Sequence, residues 1–284
     1  MPVFALAGSS GSPGVTTSAV ALLLSWPLAQ GRRMVLAECD PDGGAVLYGM
    51  LQGALGDRYG MRNLSVAARH GNLEEAFWRQ LVDLTDDGQH DEPPQNRLLL
   101  PGFTDPAQAA GMAPAWEQLA GLFTRIERER HDVLVDLGRR GAFGPGNVLA
   151  QRADLLLVVA RSTMRGVQAA QSRLEALRGQ FGELGVLLVD EGPYSASEVE
   201  RALHAPVVVT LPFRPQLARV LSDGAEEPRQ FTRSDLMRAA HVASTPMLQR
   251  AAMRRSRLAA PPSQPARPPV AAVGAGWEVS GDAR

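Results

Sequence analysis

Lysine is absent from this chain, because all 29 basic residues are arginine. No mechanism within the chain can therefore use a lysine amine as a nucleophile or as a phosphate ligand. The single cysteine, Cys39, excludes an internal disulfide and a cysteine-cluster metal site. The five histidines are scattered along the chain and have no spacing suited to metal binding.

A strong charge of either sign is also missing. The formal net charge of -1 over 284 residues provides no overall basic field for nucleic acid. Residues 1–7 lack the positive region of a secretory signal, and the longest apolar stretch near this end covers only residues 19–24. That stretch is far shorter than the ~20 residues of a membrane helix. We therefore expect a soluble, cytoplasmic protein.

Short apolar runs alternate with longer helical patterns along the chain. The runs show no in/out alternation, which is typical of strands buried on both faces of a parallel sheet. They cover residues 3–7, 34–37, 97–100, 133–137, 155–160, 186–189 and 207–210. Helical patterns cover residues 15–30, 73–84, 114–130, 163–181, 196–203 and 215–221, and a last helix lies within 233–258 with a break near Pro246. This order predicts a doubly wound α/β fold with a mostly parallel sheet and helices on both faces.

The composition divides the chain into one domain and a tail. Residues 1–258 carry the strand and helix patterns, and residues 259–284 are rich in proline, alanine and glycine. We expect this tail to be disordered and the acidic segment 86–95 to be a surface loop.

Glycine and serine dominate the segment between the first strand and the first helix, Gly8-Ser9-Ser10-Gly11-Ser12-Pro13-Gly14-Val15-Thr16-Thr17. Small residues let backbone N–H groups face an anion at a helix N-terminus. The segment therefore favours a phosphate-binding loop, and an ordinary strand-to-helix turn is the alternative. A Rossmann dinucleotide site is not expected, because the segment contains no G-x-G-x-x-G.

This loop resembles the deviant Walker A motif of the ParA/MinD family of P-loop ATPases. Three later segments resemble family motifs in the family's order: residues 38–44 the switch I segment, 131–138 the Walker B strand with switch II, and 207–214 the last strand with the proline loop beside the base. The resemblance covers about residues 3–245. It implies a P-loop NTPase-like fold, ATP and Mg²⁺ as ligands, a homodimer, and a protein partner within a larger machine for partition, division, secretion or Tad-type pilus localisation. Altered Walker A loops also occur in TadZ/CpaE members, so a degenerate protein of that kind is the most specific expectation.

The resemblance also implies roles for individual residues. Asp40 would orient the attacking water, and Thr16 and Asp136 would bind Mg²⁺. The residues implied to bind nucleotide are Gly11, Ser12, Gly14, Val15, Thr16, Thr17 and Pro212. The residues alone also allow simpler roles, with Thr16 as a helix N-terminal threonine and the two aspartates as cap or turn residues.

Both lysines of the family motif are replaced, the signature lysine by Ser10 and the Walker lysine by Val15. Losing one preorganised donor typically lowers the rate by roughly 10²–10³, and Pro13 offers no backbone N–H. We therefore predict a noncatalytic or weakly catalytic protein that binds ATP and Mg²⁺ weakly or not at all. The alternative is an active partition-type ATPase in which arginines compensate. The candidates are Arg139 and Arg140, then Arg161 and Arg165, each of which is otherwise a solvated surface residue.

Near the end of the helical region, four arginines lie among apolar residues, at positions 250, 254, 255 and 257. They suggest an amphipathic patch for anionic lipid or DNA, although arginine stems also line ordinary last helices. We expect Phe77, Trp78 and Trp116 to pack inside the protein rather than to stack on bases.

Overall fold

A computed structural model describes residues 2–11, 13–56, 58–85 and 97–259, without the side chain of Glu127. The expected surface loop at 86–95 and nearly all of the expected tail, from residue 260 onward, lie outside these ranges, as does Ser12.

Eight strands form one sheet. They are β1 (Val3–Gly8), β2 (Arg33–Glu38), β3 (Val82–Asp83), β4 (Arg97–Leu100), β5 (His131–Asp136), β6 (Leu155–Arg161), β7 (Leu184–Asp190) and β8 (Val207–Pro212). Their spatial order is β3-β4-β2-β5-β1-β6-β7-β8. All neighbouring strands are parallel except β3, which pairs antiparallel with β4. The predicted mostly parallel, doubly wound sheet is confirmed.

Nine α-helices of the described residues cover the sheet. They are α1 (Val15–Ser25), α2 (Met61–Arg69), α3 (Leu73–Gln80), α4 (Ala113–Arg128), α5 (Asn147–Arg152), α6 (Met164–Leu177), α7 (Ala196–Leu203), α8 (Pro215–Asp223) and α9 (Asp235–Ala259). Short 3₁₀ turns lie at Pro106–Met112, Gly144–Gly146 and Phe231–Arg233. The helix starting at Ala196 begins with a full capping box between Ser195 and Glu198.

Successive strand residues point to opposite faces of the sheet, and both faces are buried. On β1, Ala5 faces the core beneath α2 to α7, whereas Phe4 faces the core beneath α1, α8 and α9. Phe77 and Trp116 are buried and Trp78 is partly buried in the first of these cores, as expected. Within the described residues, no helix is both long and apolar enough to cross a membrane.

Two expected elements are corrected. The helical pattern at 73–84 ends at Gln80, and Val82 and Asp83 instead form the edge strand β3. No break occurs at Pro246, because α9 continues through it to Ala259. Proline removes the hydrogen bond to the carbonyl of Val242, and that residue is 65% exposed, so water can reach its backbone. Burial of α9 on both sides of the proline, at Ala243 and Met247, holds the two halves in line.

The C-terminal arginines pair with groups of the protein itself. Arg250 and Arg257 pair with Glu183 at 3.0 and 3.3 Å. Arg255 holds both carboxylate oxygens of Asp154 at 2.8 and 2.6 Å, and Arg254 donates to the carbonyl of Ala153. These residues, which we call the C-terminal clamp, attach α9 to the amino ends of β6 and β7. On the same helix, Met247 and Ala251 are buried in the core, whereas Leu258 is 72% exposed.

Candidate functional site

The predicted site residues follow strands that are neighbours in the sheet. The order β2-β5-β1 places the carboxyl ends of these three strands side by side. Asp40 follows β2, Asp136 ends β5, and the glycine-serine loop follows β1. The carboxyl ends of these strands therefore bring together the two aspartates and the loop, which lie far apart in sequence.

Backbone hydrogen bonds fix the start of the loop to both neighbouring strands. The N–H of Gly8 donates to the carbonyl of Gly138 at 2.6 Å, and the N–H of Ser9 donates to the carbonyl of Val159 at 3.2 Å. Gly14, with φ of 94°, turns the chain into α1 and provides no side-chain cap. The first N–H groups of α1 therefore point toward the loop, in the arrangement that favours anions at helix N-termini.

A cavity of about 420 Å³, the loop cavity, lies between the loop and the segment that carries Asp40 and Asp42, and Asp136 is not among its lining residues. It is lined by Gly8, Ser9, residues 13–17, Asp40, Asp42, Gly138 and Arg139. The predicted residues Gly14, Val15, Thr16, Thr17 and Asp40 therefore meet in one place.

Val15, at the position that the resemblance assigns to the Walker lysine, is part of the core. Its side chain is only 8% exposed and packs with the apolar residues beneath α1. It also lies against the backbone of β1, since a Cβ atom on Gly8 would come within 2.8 Å of the Val15 Cγ2. The position that should carry a cation into the cavity thus carries a buried hydrocarbon group.

Asp136 is a buried carboxylate with two hydrogen-bond donors. Its Oδ1 accepts from the backbone N–H of Gly138 at 2.8 Å, and the side chain of Thr16 also hydrogen-bonds to it. Burial is the largest cause that raises the pKa of Asp136 to about 6, and the nearby Asp40 adds to it. A buried carboxylate beside a threonine hydroxyl fits Mg²⁺, which binds few protein oxygens and completes its shell with water and phosphate. The described residues contain no group of three or more His, Cys, Asp or Glu that could hold a metal.

Asp40 packs directly on the backbone of Gly138. A Cβ atom on Gly138 would lie 1.7 Å from the Asp40 Oδ2, and the φ of this glycine is +52°. Burial raises the pKa of Asp40, and backbone N–H groups of Asp42 and Arg139 oppose that rise by hydrogen bonding to the carboxylate. The position of Asp40 therefore depends on glycine at residue 138.

Gly138→Ala should displace Asp40 and lower the free energy of unfolding by about 2–4 kcal/mol, because strain at positive φ and the steric overlap act together. Gly144→Ala is the matched control, since Gly144 has φ of +72° but no atom within 4 Å of its hypothetical Cβ. It should lower the free energy by only about 1–2 kcal/mol. Urea unfolding of both variants measures the difference, and equal losses would show that the contact with Asp40 has no energetic effect.

The two arginines expected to compensate for the lysines are engaged with Asp42. Arg139 lies 3.7 Å and Arg140 3.3 Å from its carboxylate oxygens. Arg139 lines the loop cavity, and Arg140 does not. Arg161 pairs with Glu191 at 3.0 Å and lies over the ring of Phe213. Of these three arginines, Arg139 alone is therefore placed beside the loop cavity.

A second cavity of about 220 Å³, the side cavity, adjoins the loop on its other flank. Pro13, Gly14 and Thr17 form one wall. The opposite wall is mostly apolar and includes Val189, Leu211, Pro212, Phe213 and Leu236. Pro212 therefore lies on the apolar wall of a cavity that begins at the loop.

Gly11 does not line either of these cavities. Together with Ser10 it borders a small polar cavity that also contains Arg161, Arg165 and Glu191. Ser12 cannot be placed, because it lies outside the described residues.

An apolar groove of about 620 Å³ lies next to the loop cavity, with Trp116 and Phe143 among its walls. It shares only Asp42 with the loop cavity. This groove could not be predicted from the sequence, because its walls come from three separate segments.

Glu38 is a site residue that the sequence reasoning missed. It ends β2, is buried, and accepts hydrogen bonds from three backbone N–H groups. Burial, with a smaller contribution from Asp136, raises its pKa to about 7. The signal in the sequence is an acidic residue that directly follows the apolar run 34–37, and β2 includes this residue as its last.

The fold is that of the ParA/MinD proteins. A ParA family ATPase from Chlorobium tepidum matches with a TM-score of 0.64 at 13% identity, over 87% of this chain and 97% of that one. MinD of Pyrococcus horikoshii, solved with Mg-ADP, matches with a TM-score of 0.63 at 13% identity, over 89% and 98%. MinD in the MinC:MinD complex of Aquifex aeolicus matches with a TM-score of 0.54 at 15% identity, over 93% and 99%. No family profile and no curated protein matches the sequence.

Proposed function

We propose that this chain is a ParA/MinD-like positioning protein that turns over nucleotide slowly or not at all. The observation that carries the proposal is Val15, which is buried against Gly8 at the position where a phosphate-binding lysine is expected. Phosphoryl transfer depends on positioning and on charge stabilisation around the transferred group. A buried valine provides neither, and no lysine elsewhere in the chain can replace it.

The remaining groups support weak binding of a nucleotide with Mg²⁺. Thr16 and Asp136 would hold the ion, which would neutralise phosphate charge when bound. The N–H groups at the start of α1 would face the phosphates, and the side cavity would hold the nucleoside. The Mg-ADP in the MinD structure from Pyrococcus horikoshii supports this assignment.

We further propose that the protein acts in the cytoplasm, as a homodimer, through a protein partner in a larger machine such as a partition, division, secretion or Tad-type pilus system. The MinC:MinD complex of Aquifex aeolicus supports a protein partner.

Calorimetry and phosphate release test the proposal on the purified full chain. We expect measurable ATP–Mg²⁺ binding in the millimolar range and phosphate release at least about 10²-fold slower than in a Ser10→Lys, Val15→Lys double variant. Ser10→Lys, Val15→Met is the matched control, since methionine has similar length without charge. Absence of binding at millimolar ATP would remove the nucleotide part of the proposal, and rapid turnover by the unmodified chain would overturn the catalytic part.

An active ATPase is the second candidate, and Arg139 is the observation that favours it. Its guanidinium lines the loop cavity, is 56% exposed, and is held by Asp42 only at 3.7 Å. An exposed ion pair at this distance contributes little, so the side chain can turn toward a phosphate. Rapid phosphate release that is lost in Arg139→Ala but kept in Arg140→Ala would support this candidate.

A further inference from the structure

We propose that Glu38 sets the position of the loop carrying Asp40 and Asp42 before any ligand binds, so that this side of the loop cavity is preformed. The inference rests on the proposed function of the site, because the loop matters only if the cavity takes a ligand. Nothing in the chain's motifs assigns this role to Glu38, whose carboxylate does not line the cavity.

The carboxylate of Glu38 closes the loop that begins with its own residue. Its Oε1 accepts from the N–H of Ala45 at 2.8 Å and from the N–H of Val46 at 3.1 Å. The loop between, residues 39–44, is therefore anchored at its start by β2 and at its end by this side chain. Glu38 is only 2% exposed, so water does not compete for these bonds.

The other carboxylate oxygen fixes the loop to a second segment. Oε2 accepts from the N–H of Gly102, just beyond β4, at 3.2 Å. At this junction the chain segments touch through glycine, since a Cβ atom on Gly44 would lie 2.7 Å from the Cα of Gly102. The N–H of Gly44 also donates to the carbonyl of Phe103 at 2.7 Å.

Only a carboxylate satisfies all three donors. The two oxygens accept three N–H groups, and the amide of a glutamine would place a donor against one of them. An apolar side chain of similar length would leave all three N–H groups without their acceptor. Glutamine and an apolar residue at position 38 should therefore differ from glutamate in their hydrogen bonds although they fill similar space.

The position of the loop determines where its two aspartates lie. The N–H of Asp42 donates to Oδ1 of Asp40 at 3.0 Å, and the N–H of Gly43 donates to the Asp40 carbonyl at 3.2 Å. These short-range bonds make residues 40–43 a compact turn that moves as a unit. Anchoring the end of the turn at Ala45 therefore fixes both carboxylates against the cavity.

Residue-resolved amide hydrogen exchange of the full chain tests this inference. Without any ligand, we expect the amides of Ala45, Val46 and Gly102 to be protected in the unmodified chain. In Glu38→Met they should exchange at least about tenfold faster. In Glu38→Gln, whose oxygen can still accept from the first two, only Gly102 should lose protection. Asp132→Asn, at the amino end of β5 and so at the opposite end of the strands, is the control and should leave all three amides unchanged.

Two results would overturn the inference. One is unprotected amides at Ala45 and Val46 in the ligand-free chain, a measurement that needs no variant to fold. The other is a Glu38→Met chain that folds and keeps all three amides protected. Adding Mg-ADP should change exchange of these amides by less than about twofold, and large new protection would show that ligand rather than Glu38 orders the loop. Failure to bind Mg-ADP, with the exchange pattern intact, would contradict the proposed function and leave the role of Glu38 standing.

Discussion

Asp136→Asn is expected to raise the free energy of unfolding at pH 8 by about 3 kcal/mol. Burial raises the pKa of Asp136 from 3.8 to about 6, and this difference corresponds to about 3 kcal/mol of ionisation free energy. Asparagine keeps the geometry, because its oxygen can accept from Gly138 while its amide donates to the Thr16 hydroxyl. The variant therefore removes a buried charge without removing its hydrogen bonds.

The gain in the free energy of unfolding of Asp136→Asn should increase as pH rises. Because the folded-state pKa is raised, the folded chain holds a proton that the unfolded chain releases between about pH 4 and 6. The stability of the parent chain therefore falls as pH rises through this window, and the advantage of Asp136→Asn should shrink to nearly zero at pH 4. Because the pKa of Glu38 is also raised, to about 7, its ionisation lowers the stability of both chains as pH rises.

Urea unfolding at pH 4, 6 and 8 measures this difference. Glu74→Gln removes a carboxylate from an exposed pair with Arg125, and should change the free energy by less than about 1 kcal/mol at each pH. An Asp136→Asn chain that is less stable than the parent at pH 8 would contradict the expectation. In that case the charge of Asp136 would be stabilised by a group other than those described above.

Asp154→Ala should lower the free energy of unfolding by about 3 kcal/mol. Asp154 is 8% exposed and accepts from the N–H of Val3 at 2.8 Å as well as from Arg255. Alanine leaves a buried N–H without an acceptor, which costs about 1–3 kcal/mol, and removes a partly buried ion pair. The side chain of Asp154 connects β1, the start of β6 and α9. Its removal should therefore reduce the stability of the whole domain.

Two companion variants separate these contributions. Arg255→Ala removes the ion pair and keeps the acceptor of the Val3 N–H, and because this arginine is 38% exposed we expect a smaller loss of about 1 kcal/mol. Asp154→Asn can still accept from Val3 and should fall between the two. Equal losses in Asp154→Ala and Arg255→Ala, measured by urea unfolding, would show that the bond to Val3 contributes nothing.

The central strands could be predicted because their residues are buried on both faces and give unbroken apolar runs. The edge strand β3 could not, since its two residues fall within a helical pattern and pair with β4, which lies more than ten residues further along the chain. The path of α9 through Pro246 also escaped prediction. Proline has a low propensity for the interior of a helix, but the burial of Ala243 and Met247 on either side outweighs this cost.

The site was predictable where the chain order itself carries the information. Asp40, Asp136 and the loop each follow a strand, so parallel strands had to bring them to one edge. The role of Glu38 was not predictable, because the three N–H groups that it accepts from belong to residues 45, 46 and 102. Nothing in the sequence indicates that residue 102 lies beside residues 45 and 46. The pairing of the C-terminal arginines was likewise hidden, because Asp154 and Glu183 lie far away in sequence.

The contact between Val15 and Gly8 has a consequence for substitutions at position 15. A change from valine to lysine would remove buried packing from the core beneath α1 at once. If nucleotide turnover requires lysines at both Ser10 and Val15, no single substitution restores it, and the structure opposes one of the two steps.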